Sequence, residues 1–207
     1  YAGVANQIVT ITINDDDLAP TSMTVPTTLL SYNFEAGFGS FSTLNPAGAP
    51  NDAFQIGDVA AASSAAVTVP ASNTSNFAWI NDDACDCIQN DVDLIFPSVD
   101  LTGFLSANVT FLSYFEGLTY LSNTETAELY VSVNGGASTL VGPLVVNGAW
   151  VTQNFDLTAY VGNNNVVLSV NYSDGTGWLY GLAVDDVVVT GNGPIGVQAA
   201  VNTGAGY

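Results

Sequence analysis

Not one of the 207 residues is Lys, Arg or His, while 19 are Asp or Glu, giving a formal charge of −19 at pH 7. Such a chain folds without salt bridges between its own side chains and without cation–π contacts. Whatever offsets its carboxylates comes from outside, as salt or as bound cations. Hard divalent cations, which take oxygen ligands, are the natural candidates. The same absence removes whole classes of function. Phosphates cannot be neutralised, so nucleic-acid binding is excluded, and so is a polybasic grip on anionic lipid. Ser-His-Asp and Cys-His catalysis, imidazole metal sites and a titration switch near neutrality all need a histidine. A Schiff base or a Lys–Asn isopeptide staple needs a lysine. Trypsin-like proteases find no internal cleavage site, which suits an exposed, protease-rich or saline extracellular setting.

Despite the charge, the chain has the means to build a core. Its hydrophobic fraction is 48% and its charged fraction only 9%, the reverse of a disordered acidic tail. No stretch approaches the roughly 18 uninterrupted apolar residues of a membrane helix, so direct membrane insertion is not expected. The sequence opens at Tyr1 with neither a charged nor an apolar leader region, and reads as a mature or excised piece of something longer. Helix signals are nearly absent. The best, over residues 59–66, lacks a leucine stripe and a charged outer face, and reads as loop or irregular edge.

Strand patterns recur instead, over residues 7–13, 29–34, 65–69, 77–80, 92–96, 108–115, 127–133, 150–155, 166–172 and 179–189. Asn134, Gly135 and Gly136 mark a hairpin turn, because these residues tolerate positive φ. Many strands with no helices between them predict an all-β, antiparallel two-sheet sandwich. The cluster Asp15, Asp16 and Asp17, then Pro20 and Pro26, set its start; Gly191 to Pro194 set its end. Residues 29–190 are therefore the expected sandwich, with 1–28 the end of a preceding β-domain or a linker strand. Residues 191–207 are a linker or the start of a following segment. Both flanks carry apolar, strand-compatible residues, so 7–13 and 195–201 are expected to add as strands to neighbouring β-domains or subunits.

Several phrases then occur in a telling order. Asn33-Phe34-Glu35 precedes Gly37-Phe38, and Ala78-Trp79-Ile80-Asn81-Asp82-Asp83 leads into Cys85-Asp86-Cys87. Asp93 to Leu101 (DLIFPSVDL) follows, then Tyr172-Ser173-Asp174-Gly175, Gly177-Trp178, and finally Ala183-Val184-Asp185-Asp186-Val187. In this order they resemble the MAM-like or cleaved-adhesin jelly-roll domains of secreted Bacteroidota surface proteins. Val9 to Asp17 (VTITINDDD) resembles the closing strand of a Calx-β or cadherin-like repeat. The first resemblance implies a jelly roll with a structural Ca²⁺ held by Glu35 and one Asp of the pair Asp185–Asp186. Strand side chains alternate, so one of that pair must face inward, and an inward carboxylate here needs a cation.

Other candidates come from the residues alone. Asp82, Asp83, Asp86, Asp91 and Asp93 crowd one short run that lacks EF-hand spacing. They form a second, weaker candidate cation site, or a hydrated acidic loop. Cys85 and Cys87 leave three options: a local disulfide, two free thiols, or bonds to another chain. An extracellular setting favours the first. Trp178, beside the Gly175–Gly177 turn, is the tryptophan best placed to stack on a glycan. Besides Glu35 the only glutamates are Glu116, Glu125 and Glu128, and no spacing marks a glycosidase acid and nucleophile. No catalytic residue is assigned. The expected function is a non-catalytic structural or adhesive module of a large extracellular cell-surface adhesin, stalk or filament, calcium-stabilised. The alternative is a carbohydrate-binding module of a secreted enzyme, with surface glycans as partners.

Overall fold

The computed structural model describes residues 24–46 and 53–194. In chain order its strands begin with β1 (Thr24–Tyr32), β2 (Ser42–Leu44), β3 (Gln55–Gly57), β4 (Phe77–Asn81), β5 (Val92–Ile95) and β6 (Ser106–Phe115). They continue with β7 (Thr119–Tyr120), β8 (Asn123–Thr124), β9 (Thr126–Val133), β10 (Thr139–Pro143), β11 (Asn147–Asp156), β12 (Val166–Ser173) and β13 (Gly181–Pro194). Two sheets carry the fold. One runs β11-β6-β13-β4-β3 with β1 also on β13, the other β10-β9-β12-β5-β2, and β7 and β8 form a separate small ribbon. All strand pairs are antiparallel, the all-β two-sheet sandwich that the sequence predicts.

The long strands form because their residues alternate. In β9 and β12 every second side chain is buried, placing Leu129, Val131, Leu168 and Val170 in the shared core. The facing sheet contributes Val109 and Phe111 from β6 and Val187 and Val189 from β13. An aromatic relay, Phe34–Phe41–Phe96–Phe111, crosses the interior with centroids 5.0, 5.0 and 6.2 Å apart. β4 is buried on both faces. Ala78 and Ile80 enter the main core, while Phe77 and Trp79 enter a satellite cluster with Ala62, Val69, Tyr114 and Ala183. Trp150 closes that cluster through an edge contact with Phe77 and an Nε1–H bond to the Pro70 carbonyl, 2.9 Å.

Three expectations need correction. Residues 65–69 are not a strand: the Ser64 and Ser63 hydroxyls accept the N–H groups of Val67 and Val69, so no sheet partner is needed. Within residues 59–66 a one-turn helix, α1 (Val59–Ala62), forms because Asp58 caps it by accepting Ala61 N–H at 3.0 Å. A second turn, α2 (Asp82–Cys85), is capped by Asn81. Sheet pairing also extends past residues 29 and 190, since Thr24 pairs with Pro194. The expected terminal strands 7–13 and 195–201 lie outside the described residues. The Asn134 turn is present, with Asn134 and Gly135 at φ 54° and 72°.

Gly181 opens β13 at φ +131°, and a Cβ there would sit 2.1 Å from the Ile80 carbonyl oxygen. Gly181→Ala should therefore destabilise the fold by about 1–3 kcal/mol from backbone strain before the clash is counted, and so lower the urea midpoint markedly. Gly148→Ala, in open space, is the matched control and should change little. Equal midpoints for the two variants would contradict this account of the β13 start.

Candidate functional site

β13 changes partner midway. Gly181 to Val184 pair with β4, Val187 to Pro194 pair with β1, and Asp185 and Asp186 fall in the gap between them. The β6 register slips at the same place, and Asp186 takes φ 49°, so the gap is a β-bulge. The bulge buries Asp185, 1% exposed, and turns Asp186 to solvent. Asp185 Oδ2 accepts from Asn73 Nδ2 at 2.7 Å and from Ser75 Oγ at 2.9 Å, while Oδ1 accepts Asp186 N–H at 2.8 Å. Glu35, just past the end of β1, accepts from Asn76 N–H at 3.1 Å and from Asn76 Nδ2 at 3.4 Å. The two carboxylates thus approach one strip, residues 73–76, from two sides. Burial raises the pKa of Asp185, only partly opposed by its hydrogen bonds. Every side-chain group offered is a hard oxygen or an amide that can present one, which is calcium chemistry. Among the described residues no three carboxylates converge. The strip therefore offers two carboxylates and neutral oxygens.

The five aspartates of the second candidate site are not brought together. Asp82 points inward and is fully buried, and Asp83 accepts Ala66 N–H. Asp86 and Asp91 are exposed in left-handed turns, at φ 53° and 57°. Asp93 sits on β5, where it accepts Asn171 Nδ2 at 3.0 Å. Tight turns flip successive side chains apart, so closeness in sequence does not become closeness in space. Cys85 and Cys87 are joined as a local disulfide, with Cα atoms 5.1 Å apart.

At the same end of the sandwich lies an open cleft of about 410 Å³, lined by Asp83, Leu118, Tyr120, Trp178 and Tyr180 among others. Trp178 is 61% exposed and Tyr120 52%, whereas Trp79 is buried in the satellite cluster. Tyr120 stands on the small ribbon, whose turn residues Leu121 and Ser122 take positive φ, 46° and 76°, without glycine. That is why the sequence gives no warning of a turn there. A somewhat larger groove, about 490 Å³, is lined by polar residues such as Asn108, Asn154 and Asn192 and has no aromatic wall.

Glu125 fixes the cleft. Its Oε1 accepts Leu118 N–H at 2.9 Å, and its Oε2 accepts Tyr172 Oη, Tyr180 N–H and Gly181 N–H at 3.0, 3.2 and 3.1 Å. One carboxylate thereby ties the ribbon to the start of β13. Asp82 holds Leu179 N–H at 2.5 Å, and Asp174 holds Gln89 N–H and Thr176 N–H at 2.6 and 2.8 Å. Burial raises the pKa of Glu125. The Asp82 pKa is pushed up to about 7, first by burial and then by the nearby Asp174 and Glu125 charges, against the Leu179 hydrogen bond. Sequence reasoning names Glu125 only as a glutamate without glycosidase spacing and Asp174 only within the Tyr172–Gly175 phrase, and it does not join either to Asp82, from which both stand far along the chain.

These features define an antiparallel jelly-roll sandwich with an open, aromatic-lined cleft at one end. No protein-family profile and no curated protein matches the chain. Solved structures do. The K3 cleaved adhesin domain of Lys-gingipain from Porphyromonas gingivalis superposes with a TM-score of 0.55 at 16% identity, over 79% of this chain and 98% of that one. The K2 cleaved adhesin domain gives 0.51 at 17% identity, over 80% and 99%. The CBM22-1–GH10 modules of Clostridium thermocellum endo-1,4-β-D-xylanase 10B, complexed with xylohexaose, give 0.50 at 16% identity, over 80% of this chain and 28% of that one. The chain therefore has the cleaved-adhesin-like β-sandwich fold, shared by adhesin and carbohydrate-binding domains. Of the two labels in the sequence resemblance, these structures carry the cleaved-adhesin one.

The Asp82 shift fixes a sign. A carboxyl whose pKa is higher folded than unfolded binds extra protons when folded, so stability declines as pH rises through that range. Asp93, Glu125 and Asp185 are shifted the same way. In metal-free buffer the melting temperature should fall as pH rises from about 5 to about 8, and Asp82→Asn should flatten that slope. A slope of opposite sign would contradict the assignment.

Proposed function

We propose that this chain is a non-catalytic recognition module of an extracellular surface protein, and that it docks neutral glycans in the Trp178 cleft. The observation that carries this reading is an indole exposed on a cleft whose other walls include Tyr120 and Tyr180. An aromatic face stacks on the apolar face of a sugar ring, and Asp83 supplies an acceptor for its hydroxyls. The charge of −19 disfavours anionic sugars, which are repelled before contact. The adhesin fold and the cleft then serve one role, adhesion by sugar contact. No helix among the described residues is long and apolar enough to cross a membrane.

The test is affinity electrophoresis against a panel of neutral and uronic-acid-containing polysaccharides. Trp178→Ala should weaken binding to a neutral glycan by at least about tenfold, the equivalent of ~1.4 kcal/mol, with an unchanged melting curve. Equal binding by wild type and variant, or a preference for anionic glycans, would overturn the reading.

Calcium stabilisation belongs to the same proposal, and its support is the bulge that buries Asp185 beside the strip Glu35 contacts. An ion bound only by the folded state adds RT ln(1 + [L]/Kd), about 2.7 kcal/mol at ~100 Kd. Chelation should lower the melting temperature, and Glu35→Gln should remove much of that response. A melting curve indifferent to chelator would refute it.

A further inference from the structure

Of the four buried side-chain polar atoms left without a partner among the described residues, three belong to Asp82 and Gln89. They are Asp82 Oδ1, Gln89 Oε1 and Gln89 Nε2, in residues 0% and 1% exposed. Burying a carboxylate oxygen without a partner costs free energy, which a bound ion, a water or a shared proton offsets. Asp82 Oδ2 is already served by Leu179 N–H. The neighbouring charge that acts on Asp82 most strongly is that of Asp174, itself fully buried. Gln89 belongs to the same nucleus: its N–H donates to Asp174 Oδ2, and its carbonyl accepts Asp174 N–H at 3.1 Å. Two buried carboxylates thus interact here, the residue tied to Asp174 through its backbone carries an unpartnered side-chain amide, and the chain has no cationic side chain.

We propose that Asp82 and Asp174, with the Gln89 amide oxygen, hold a buried divalent cation of the hard, oxygen-preferring class beneath the Trp178 cleft. Two carboxylates match the charge of such an ion, and the available donors are all oxygens, which suits calcium or magnesium rather than a thiolate- or imidazole-seeking metal. No third carboxylate shares the point, because no three converge among the described residues. Glu125 is occupied by its four donors, and water completes the shell. This set differs from the run of five aspartates: it takes Asp82 from that run and joins it to Asp174 from the other side of the fold.

The ion would sit where it controls a loop. Asp82 opens α2 and holds Leu179, while Asp174 opens the segment 174–180 that carries Trp178. Bound cation therefore clamps both ends of that segment, and its removal frees the indole. The site stands apart from the Glu35 strip and does not depend on what the cleft binds.

The experiment titrates calcium, and separately magnesium, into chelator-stripped full chain by calorimetry, with acrylamide quenching of tryptophan emission followed in parallel. A Glu35→Gln background isolates the new site. That variant should still bind one ion per chain and show reduced quenching on binding. Adding Asp82→Asn should weaken this binding by upward of about 100-fold, since even outer-shell partners are worth about 10–100-fold. Asn keeps an acceptor for Leu179 and can donate to Asp174, so this variant is expected to fold, with far-UV circular dichroism as the check. Asp174→Asn should behave alike. Binding that survives Asp82→Asn, or a Glu35→Gln protein that binds no ion, overturns the proposal. The second result would mean that the Asp82–Asp174 pair shares a proton instead.

Discussion

Every buried carboxylate in this protein has to be met by peptide N–H groups, hydroxyls, amides, protons or ions from solution, because the chain supplies no cation. That constraint shapes the sandwich end that bears the cleft. Glu125 takes donors from Leu118, Tyr172, Tyr180 and Gly181, so one side chain replaces what a salt bridge would do elsewhere. Such bonds are directional, and they order the loops they touch more tightly than a screened surface ion pair would. Loops with little apolar burial of their own are thus held by charge-assisted hydrogen bonds to a few buried acids.

The second organising element is the partner exchange along β13. A strand that pairs with β4 over Gly181 to Val184 and with β1 over Val187 to Pro194 must leave a break between them. The Asp185–Asp186 bulge occupies the break and decides which aspartate goes in. The strip 73–76 reaches Asp185 because it leads directly into β4, and Glu35 arrives there because it follows β1. Topology brings three distant segments to one point, and the bulge is the reason the point is polar.

Much of the fold was legible in the residues, because alternation survives along β5 and β12, through β9 as far as Ser132 and through β6 as far as Ser113. β4 was legible too, although both its faces are buried, since Phe77 to Ile80 is an apolar run bounded by polar residues. β2 and β3 were not: three residues are too few to show a period. Residues 65–69 misled because serine hydroxyls can satisfy a backbone that looks strand-like. At the site, the exposure of Trp178 followed from its place beside a turn and the local pairing of Cys85 with Cys87 from the expected extracellular setting, while alternation required one inward aspartate of the Asp185–Asp186 pair and left the choice to the bulge. The influence of Glu125 and Asp174 on Asp82 was not legible, since these acids stand on separate segments whose approach is set by strand order alone.

The charge distribution ties these strands of argument together. Exposed acids such as Asp86, Asp91 and Asp186 repel one another through water, and at physiological salt that repulsion fades beyond about 8 Å. They make the surface strongly negative but cost the fold little. The buried acids are different, because low local polarity lengthens the reach of each charge and salt cannot enter to screen it. Their energetics are settled within the structure by what is bound to them. A protein of this composition therefore separates two electrostatic roles that most proteins mix. Its surface responds to ionic strength, and its cleft loops respond to the specific donors, protons or ions that reach Asp82, Glu125 and Asp174.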